Sequence, residues 1–150
     1  MGQFYLQAEK YLDQIDSGAW VEIGIDRGEG STGWFTDTAK ARGVNFYAVD
    51  IDPEQITRAL TVVYSNQPPD HVRLENTSGE KFLSSFRDKY NQSISLAYLD
   101  NFDWNYWVEG SEPGWVLDIA QRYQQKFNIT MNNLNSQISH LLQATDRKST

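Results

Sequence analysis

Hydrophobic positions along this chain alternate between helical and strand spacing. Phe4, Ala8, Tyr11, Leu12 and Ile15 recur at helical intervals, so an amphipathic helix is expected within 1–17, closed by Ser17-Gly18. Ala19-Trp20-Val21-Glu22-Ile23-Gly24 is a short strand-like run, and residues 25–30 are rich in glycine. A helix is expected over 31–41 with Trp34, Phe35 and Ala39 inward, stopped by Gly43. Positions 44–49 read as a second strand, closed by Asp50. Asp52-Pro53-Glu54-Gln55 has the makeup of a helix start: a capping acid, proline at the first helical position, and glutamine three residues after the cap. Ile56, Ala59, Leu60 and Val63 give that helix an apolar stripe, which Pro68-Pro69 would break. A third strand is expected over 71–75. A third helix starts near Gly79 with Phe82, Leu83, Phe86 and Tyr90 inward, and a fourth strand covers 93–99 and ends at Asp100. Beyond it lie an aromatic-rich loop over 101–112, a helix from Pro113 and a last helix from Asn132 with Leu134, Ile138, Leu141 and Leu142 on one face.

Strands alternating with helices of this length imply parallel crossover units. Such crossovers are right-handed, so helices cover both faces of an open twisted sheet. The expected fold is therefore α/β, a Rossmann-like doubly wound parallel sheet with strand order 3-2-1-4. The 150 residues amount to one domain: an N-terminal helix (1–17), a core (18–100), and a loop with C-terminal helices (101–150).

Composition narrows the function classes. A net charge of −7 opposes a phosphate-backbone footprint and an anionic membrane surface. The absence of cysteine excludes disulfides, thiolate zinc sites and a cysteine nucleophile. His71 and His140 have no metal-ligand spacing, and no apolar run approaches the ~18 residues of a membrane span. The N-terminus has neither the apolar core of a signal peptide nor a myristoylation pattern, so a cytoplasmic location is the expectation. No Gly-Lys-Ser/Thr follows the glycines, and no serine-hydrolase elbow is present.

In open parallel sheets ligands bind beyond the carboxyl ends of the strands, beside the first. The loop there is Glu22-Ile23-Gly24-Ile25-Asp26-Arg27-Gly28-Glu29-Gly30-Ser31-Thr32. Its glycines allow positive φ and close ligand approach, and the following helix start offers unpaired N–H groups that suit a carboxylate or phosphate. Glu22 sits in an otherwise apolar strand, where an unpaired carboxylate is costly. A cation would relieve that cost, from a ligand or from Arg27, and so would backbone amides. Asp50 closes the second strand, 22 residues beyond Gly28, close to the ~20 expected of a ribose-hydroxyl acceptor. Asp52 reads as the helix cap.

Over about residues 18–104 the chain resembles the class I S-adenosylmethionine-dependent methyltransferases. Val21-Glu22-Ile23-Gly24 with Gly28, Gly30, Ser31 and Thr32 resembles their glycine-rich first motif, in the style of the branch that includes macrocin-type sugar O-methyltransferases and cephalosporin-hydroxylase-like proteins. Phe46-Tyr47-Ala48-Val49-Asp50-Ile51-Asp52-Pro53-Glu54 resembles the second motif, the segment 72–83 the third region, and Ile94-Ser95-Leu96-Ala97-Tyr98-Leu99-Asp100-Asn101 the fourth. The resemblance implies S-adenosyl-L-methionine as cofactor and methyl transfer to an oxygen of a small molecule or sugar. It implies that Gly24, Asp26, Gly28, Gly30 and Ser31 shape the turn around the methionine moiety, and that Glu22 orients that turn or the ammonium. Asp50 would bind the ribose, Ile51 would belong to the cofactor site, and Ser78 would contact the adenine. Asp100 and Asp103 would face the donor methyl or the acceptor, Asp100 as a base or as a ligand for a divalent metal. Metal-dependent relatives also carry acids after a fifth strand, and this chain shows none.

Departures accompany the resemblance. Asp26 replaces the middle glycine of the common motif, and Asp100-Asn101-Phe102-Asp103 differs from the Asn-Pro-Pro-Tyr type that methylates amide or exocyclic nitrogens. Four strands are readable where the family has seven, so a truncated product or fragment is expected, with an exposed sheet edge prone to self-association. The expected partners are a small-molecule acceptor and, through that edge, a second copy of the chain, with neither nucleic acid nor membrane. Trp104, Tyr106, Trp107 and Trp115 suit either an acceptor lid or a hydrophobic cover. Two rival readings stand beside this one. Gly28-Glu29-Gly30-Ser31-Thr32-Gly33 fits a nicotinamide-dinucleotide fingerprint, although its first glycine falls after the strand has ended. The other is a non-catalytic Rossmann-like binding module.

Overall fold

The computed structural model describes residues 4–25 and 30–99. Four strands, β1 (Ala19–Ile23), β2 (Phe46–Asp50), β3 (Val72–Asn76) and β4 (Ile94–Leu99), form one wholly parallel sheet in the order β3-β2-β1-β4. Three α-helices connect them: α1 (Ser31–Arg42), α2 (Pro53–Arg58) and α3 (Gly79–Tyr90). The expected α/β architecture and strand order are the observed ones.

Alternation along β1 and β2 divides the core into two layers. Trp20, Phe46 and Ala48 pack with Phe35 and Ala39 of α1, Ala59 and Tyr64, while Ala19, Val21, Ile23, Tyr47 and Val49 pack with Phe82, Leu83 and Phe86 of α3. Each fully buried phenylalanine is worth about 1.5–3 kcal/mol relative to exposure, so Phe35 and Phe86 are principal anchors of their layers. The chain steps outward from β1 to β3 and then returns to the far side of β1. That reversal places α3 opposite α1 and makes the carboxyl ends of β1 and β4 the switch point.

β4 carries a bulge. Ala19 pairs with Ile94, but Trp20 already pairs with Leu96. The extra residue, Ser95, puts Ile94 in the α3 layer and Leu96 in the α1 layer although they are two residues apart. Its hydroxyl donates to the Gly18 carbonyl at 2.7 Å. The strands approach so closely there that a Cβ at position 18 would lie 2.9 Å from the Ser93 carbonyl oxygen and 3.2 Å from Ser95 Cβ. Gly18→Ala should therefore cost about 1–3 kcal/mol in urea unfolding; a loss within a few tenths would contradict this close approach.

Several boundaries differ from expectation, each for a local reason. The N-terminal segment is a 3₁₀ helix, Phe4–Gln14, not an α-helix. Leu6 and Leu12, with Ile15 just beyond the helix, pack on the core beside Tyr5, while Tyr11 is 56% exposed. The second strand starts at Phe46 because Gly43 and Val44 close α1, with Val44 N–H donating to the Ala39 carbonyl and Gly43 N–H to that of Lys40. The third starts at Val72, whose N–H is engaged in a turn by the Pro69 carbonyl. The helix after β2 starts as expected, with Asp52 accepting from Glu54 N–H at 3.0 Å and Pro53 at its first position. It then widens into a π turn over Ala59–Val63 and is ended by Ser65 and Asn66 at positive φ, ahead of the prolines. Of its expected stripe only Ala59 is fully buried. Among the described residues no helix is long and apolar enough to cross a membrane.

Candidate functional site

Glu22 lies on the α1 side of β1, wholly buried. Ser31 and Thr32, the first two residues of α1, donate one hydroxyl each to it: Ser31 Oγ to Oε2 at 2.6 Å and Thr32 Oγ1 to Oε1 at 2.5 Å. Gly30, the α1 N-cap, has φ 96° and no side chain with which to cap the helix, so the carboxylate reaching across from β1 fixes the helix start instead. A negative charge at this end also opposes the positive pole of the helix. Sequence reasoning expected a cation or amides at Glu22; the partners described are hydroxyls, which the Ser-Thr pair at the helix start could have signalled.

Asp50 joins the exits of three strands. Its Oδ2 accepts from Ile25 N–H just past β1, and its Oδ1 from Asp52 N–H, both at 2.9 Å. Its backbone carbonyl accepts from Thr77 N–H at 3.1 Å and Asn76 Nδ2 at 3.0 Å, just past β3. The side chain is 4% exposed, so this is no solvated strand-end acid. Gly24 completes the junction with φ 92° and an N–H donating to the Val49 carbonyl. Glu22 and Asp50 thus hold the β1–α1 turn at its two ends.

A buried polar track runs from Glu22 through α1. Thr36 Oγ1 donates to the Thr32 carbonyl at 2.7 Å and lies 2.7 Å from the Tyr64 hydroxyl. Because the single Thr36 proton goes to that carbonyl, Tyr64 donates to Thr36. His71 Nε2 donates to the Thr36 carbonyl at 2.8 Å. Burial pushes the Tyr64 hydroxyl up to about 12, with the charges of Glu22 and Asp37 adding to the rise and the Thr36 hydroxyl, as a donor to the ionised form, opposing it. The raised value favours the neutral form in the folded state. The stabilisation is present below pH about 10 and is lost as pH rises through about 12, up to roughly 2–3 kcal/mol. The wild-type urea midpoint should therefore fall more steeply above pH about 10 than that of Tyr64→Phe; parallel profiles would refute the assignment.

The structure brings Glu22, Gly24, Gly30, Ser31, Asp50 and Ile51 to the carboxyl ends of β1 and β2. Ser78 follows Thr77 at the same end of β3 and caps α3, accepting from Lys81 N–H at 3.2 Å. Asp26, Gly28, Asp100 and Asp103 lie outside the described residues, as does the aromatic loop with Trp104, Tyr106, Trp107 and Trp115. Thr36, Tyr64 and Asn76 belong to the support of these residues but were not singled out in the sequence, and Thr32 was named there only as part of the first motif. Among the described residues no group of three or more histidine or acidic side chains is placed to hold a metal. Among the described residues, open depressions lie at the opposite, amino-terminal end of the sheet, one beside Gly18 and Ser93 and one beside Lys40 and His71. Neither contains the buried acids. Comparison of the chain with protein-family models, with curated proteins and with solved structures returns no match.

Proposed function

We propose that the chain binds S-adenosyl-L-methionine at the carboxyl ends of β1 and β2 and serves methyl transfer to an oxygen of a small molecule or sugar. The observation that carries this reading is the pair of buried acids, Glu22 and Asp50, holding one glycine-bearing turn at the exits of adjacent parallel strands. The donor set fits the group. A carboxylate offers about four acceptor positions, so accepting from amides and from ribose hydroxyls are compatible tasks for Asp50. Ile51 and Ser78 stand beside it for the adenine. Gly24 and Gly30 keep the turn's backbone open to the methionine moiety, and Glu22 fixes that backbone through Ser31 and Thr32.

Bound there, the cofactor supplies an electrophilic methyl on a sulfonium. The protein contributes mainly position, with Asp100 or Asp103 assigned as the base for an acceptor hydroxyl. The test is calorimetric titration of the full chain with S-adenosylhomocysteine and, separately, NAD. Binding of S-adenosylhomocysteine alone is the expected result. Binding of NAD alone would replace this reading with a dinucleotide oxidoreductase, and binding of neither would leave a non-catalytic module.

A further inference from the structure

Among the described residues the sheet ends in two strands of different makeup, β3 and β4. Along β3, Val72 is buried, Arg73 and Asn76 are exposed, and Leu74 and Glu75 lie between. Arg73 sits over the Tyr90 ring at 5.7 Å, Lys89 over the same ring at 5.2 Å, and Lys89 pairs with Glu75 at 3.1 Å. Charge fixed along a strand in this way guards a sheet edge against further pairing. β4 differs. Ile94–Leu99 contains neither a charged residue nor a proline. Leu96 and Tyr98 pack in the α1 layer, Ala97 and Leu99 in the α3 layer, and all four stay partly exposed. A strand apolar on both faces suits the middle of a sheet, with neighbours on both sides. Among the described residues β4 has only β1.

We propose that β4 pairs with β4 of a second copy of the chain, antiparallel about a two-fold axis at Ala97. The proposal narrows the expected self-association to one edge and does not depend on what binds at the carboxyl ends of the strands. Charge decides the occupant: an edge of neutral, apolar side chains is its own complement, whereas a charged partner would find nothing opposite its charge. A two-fold axis perpendicular to the sheet keeps each layer on its own face. With the axis at Ala97, the centre of Ser95–Leu99, Leu96 of each copy lies across from Tyr98 of the other, both in the α1 layer, and the small Ala97 meets its own counterpart. No like charges are brought together. The charged β3 strands remain at the two outer ends of the joined sheet, so assembly closes at two copies instead of growing.

Sedimentation equilibrium of the full chain between about 1 and 100 μM should show monomer and dimer and nothing larger. Ala97→Lys sets two like charges against each other at the axis and should weaken the dimer at least about 10-fold, while Arg73→Ala, on the opposite edge, should leave it unchanged. Near-ultraviolet circular dichroism establishes that each variant is folded. Hydrogen exchange of the wild type needs no variant: protection of the β4 amides that face away from β1 should rise with protein concentration, and protection of β2 should not. A wild type that stays monomeric overturns the proposal, as do species larger than a dimer, or a dimer weakened by Arg73→Ala and not by a folded Ala97→Lys protein. The same β4 amides fully protected in the dilute monomer also overturn it, and assign this edge to residues of the same chain beyond position 99.

Discussion

Replacing Glu22 with alanine is expected to lower the unfolding free energy by about 3–5 kcal/mol, a large share of the 5–15 kcal/mol typical of a domain. Two opposed effects decide the sign. Removing a buried charge relieves a desolvation penalty, which alone would stabilise the fold. The same change deprives the wholly buried Ser31 and Thr32 hydroxyls of their acceptor and opens a cavity beneath α1. Hydrogen bonds to a charged group are worth about 1.5–3 kcal/mol each, and both are lost with nothing to replace them. Destabilisation therefore wins. Glu22→Gln keeps the volume and one acceptor oxygen, so about 1–2 kcal/mol is expected for it. Urea unfolding of the three proteins measures the series; an alanine variant within 1 kcal/mol of wild type would mean that the carboxylate is not what holds the start of α1.

Asp50→Ala should act on both stability and binding. It leaves the amides of Ile25 and Asp52 without the acceptor they now share, at about 1–3 kcal/mol for a buried donor, so about 2–4 kcal/mol is expected in all. On the proposed cofactor reading, binding of S-adenosylhomocysteine should fall by at least about 100-fold, since two ribose hydroxyls would lose their acceptor and the start of the β1–α1 turn loses its tether at Ile25. Asp50→Asn retains one acceptor oxygen and should keep most of the stability while still weakening binding, which separates the two roles. Calorimetry under conditions where near-ultraviolet circular dichroism shows each variant folded provides the measurement. Wild-type affinity in a folded Asp50→Ala protein would remove Asp50 from the cofactor site.

Elements specified by local periodicity could be read directly. The stripe Phe82, Leu83, Phe86 and Tyr90, the Asp52-Pro53 helix start and the apolar strands led to the observed topology, because right-handed crossovers leave few arrangements for this order of elements. Glu22 and Asp50 were visible as acids where apolar residues should be. The polar track behind Glu22 was not, since Thr36 meets Tyr64 across 28 residues and no local pattern marks a hydroxyl for such a contact. The N-terminal helix misled for a different reason: its residues fit helical spacing, and tertiary packing against α1 selected the tighter three-residue repeat. The Ser95 bulge is likewise a product of how β4 meets Gly18, 77 residues away, and leaves no trace in β4's own alternation.

That distant pairing has a bearing on biosynthesis. β1, β2 and β3 neighbour one another in the order in which they are made, so their pairing can follow the chain as it emerges. β4 alone must come back to β1, and it is translated roughly 4–15 s later at ordinary elongation rates. Throughout that interval the far side of β1 presents unpaired backbone groups to whatever is nearby, so nascent chains on crowded polysomes meet their greatest hazard of cross-pairing before residue 94 appears. Slowing translation just upstream of β4 should lower the soluble yield, whereas the same delay placed after it should not.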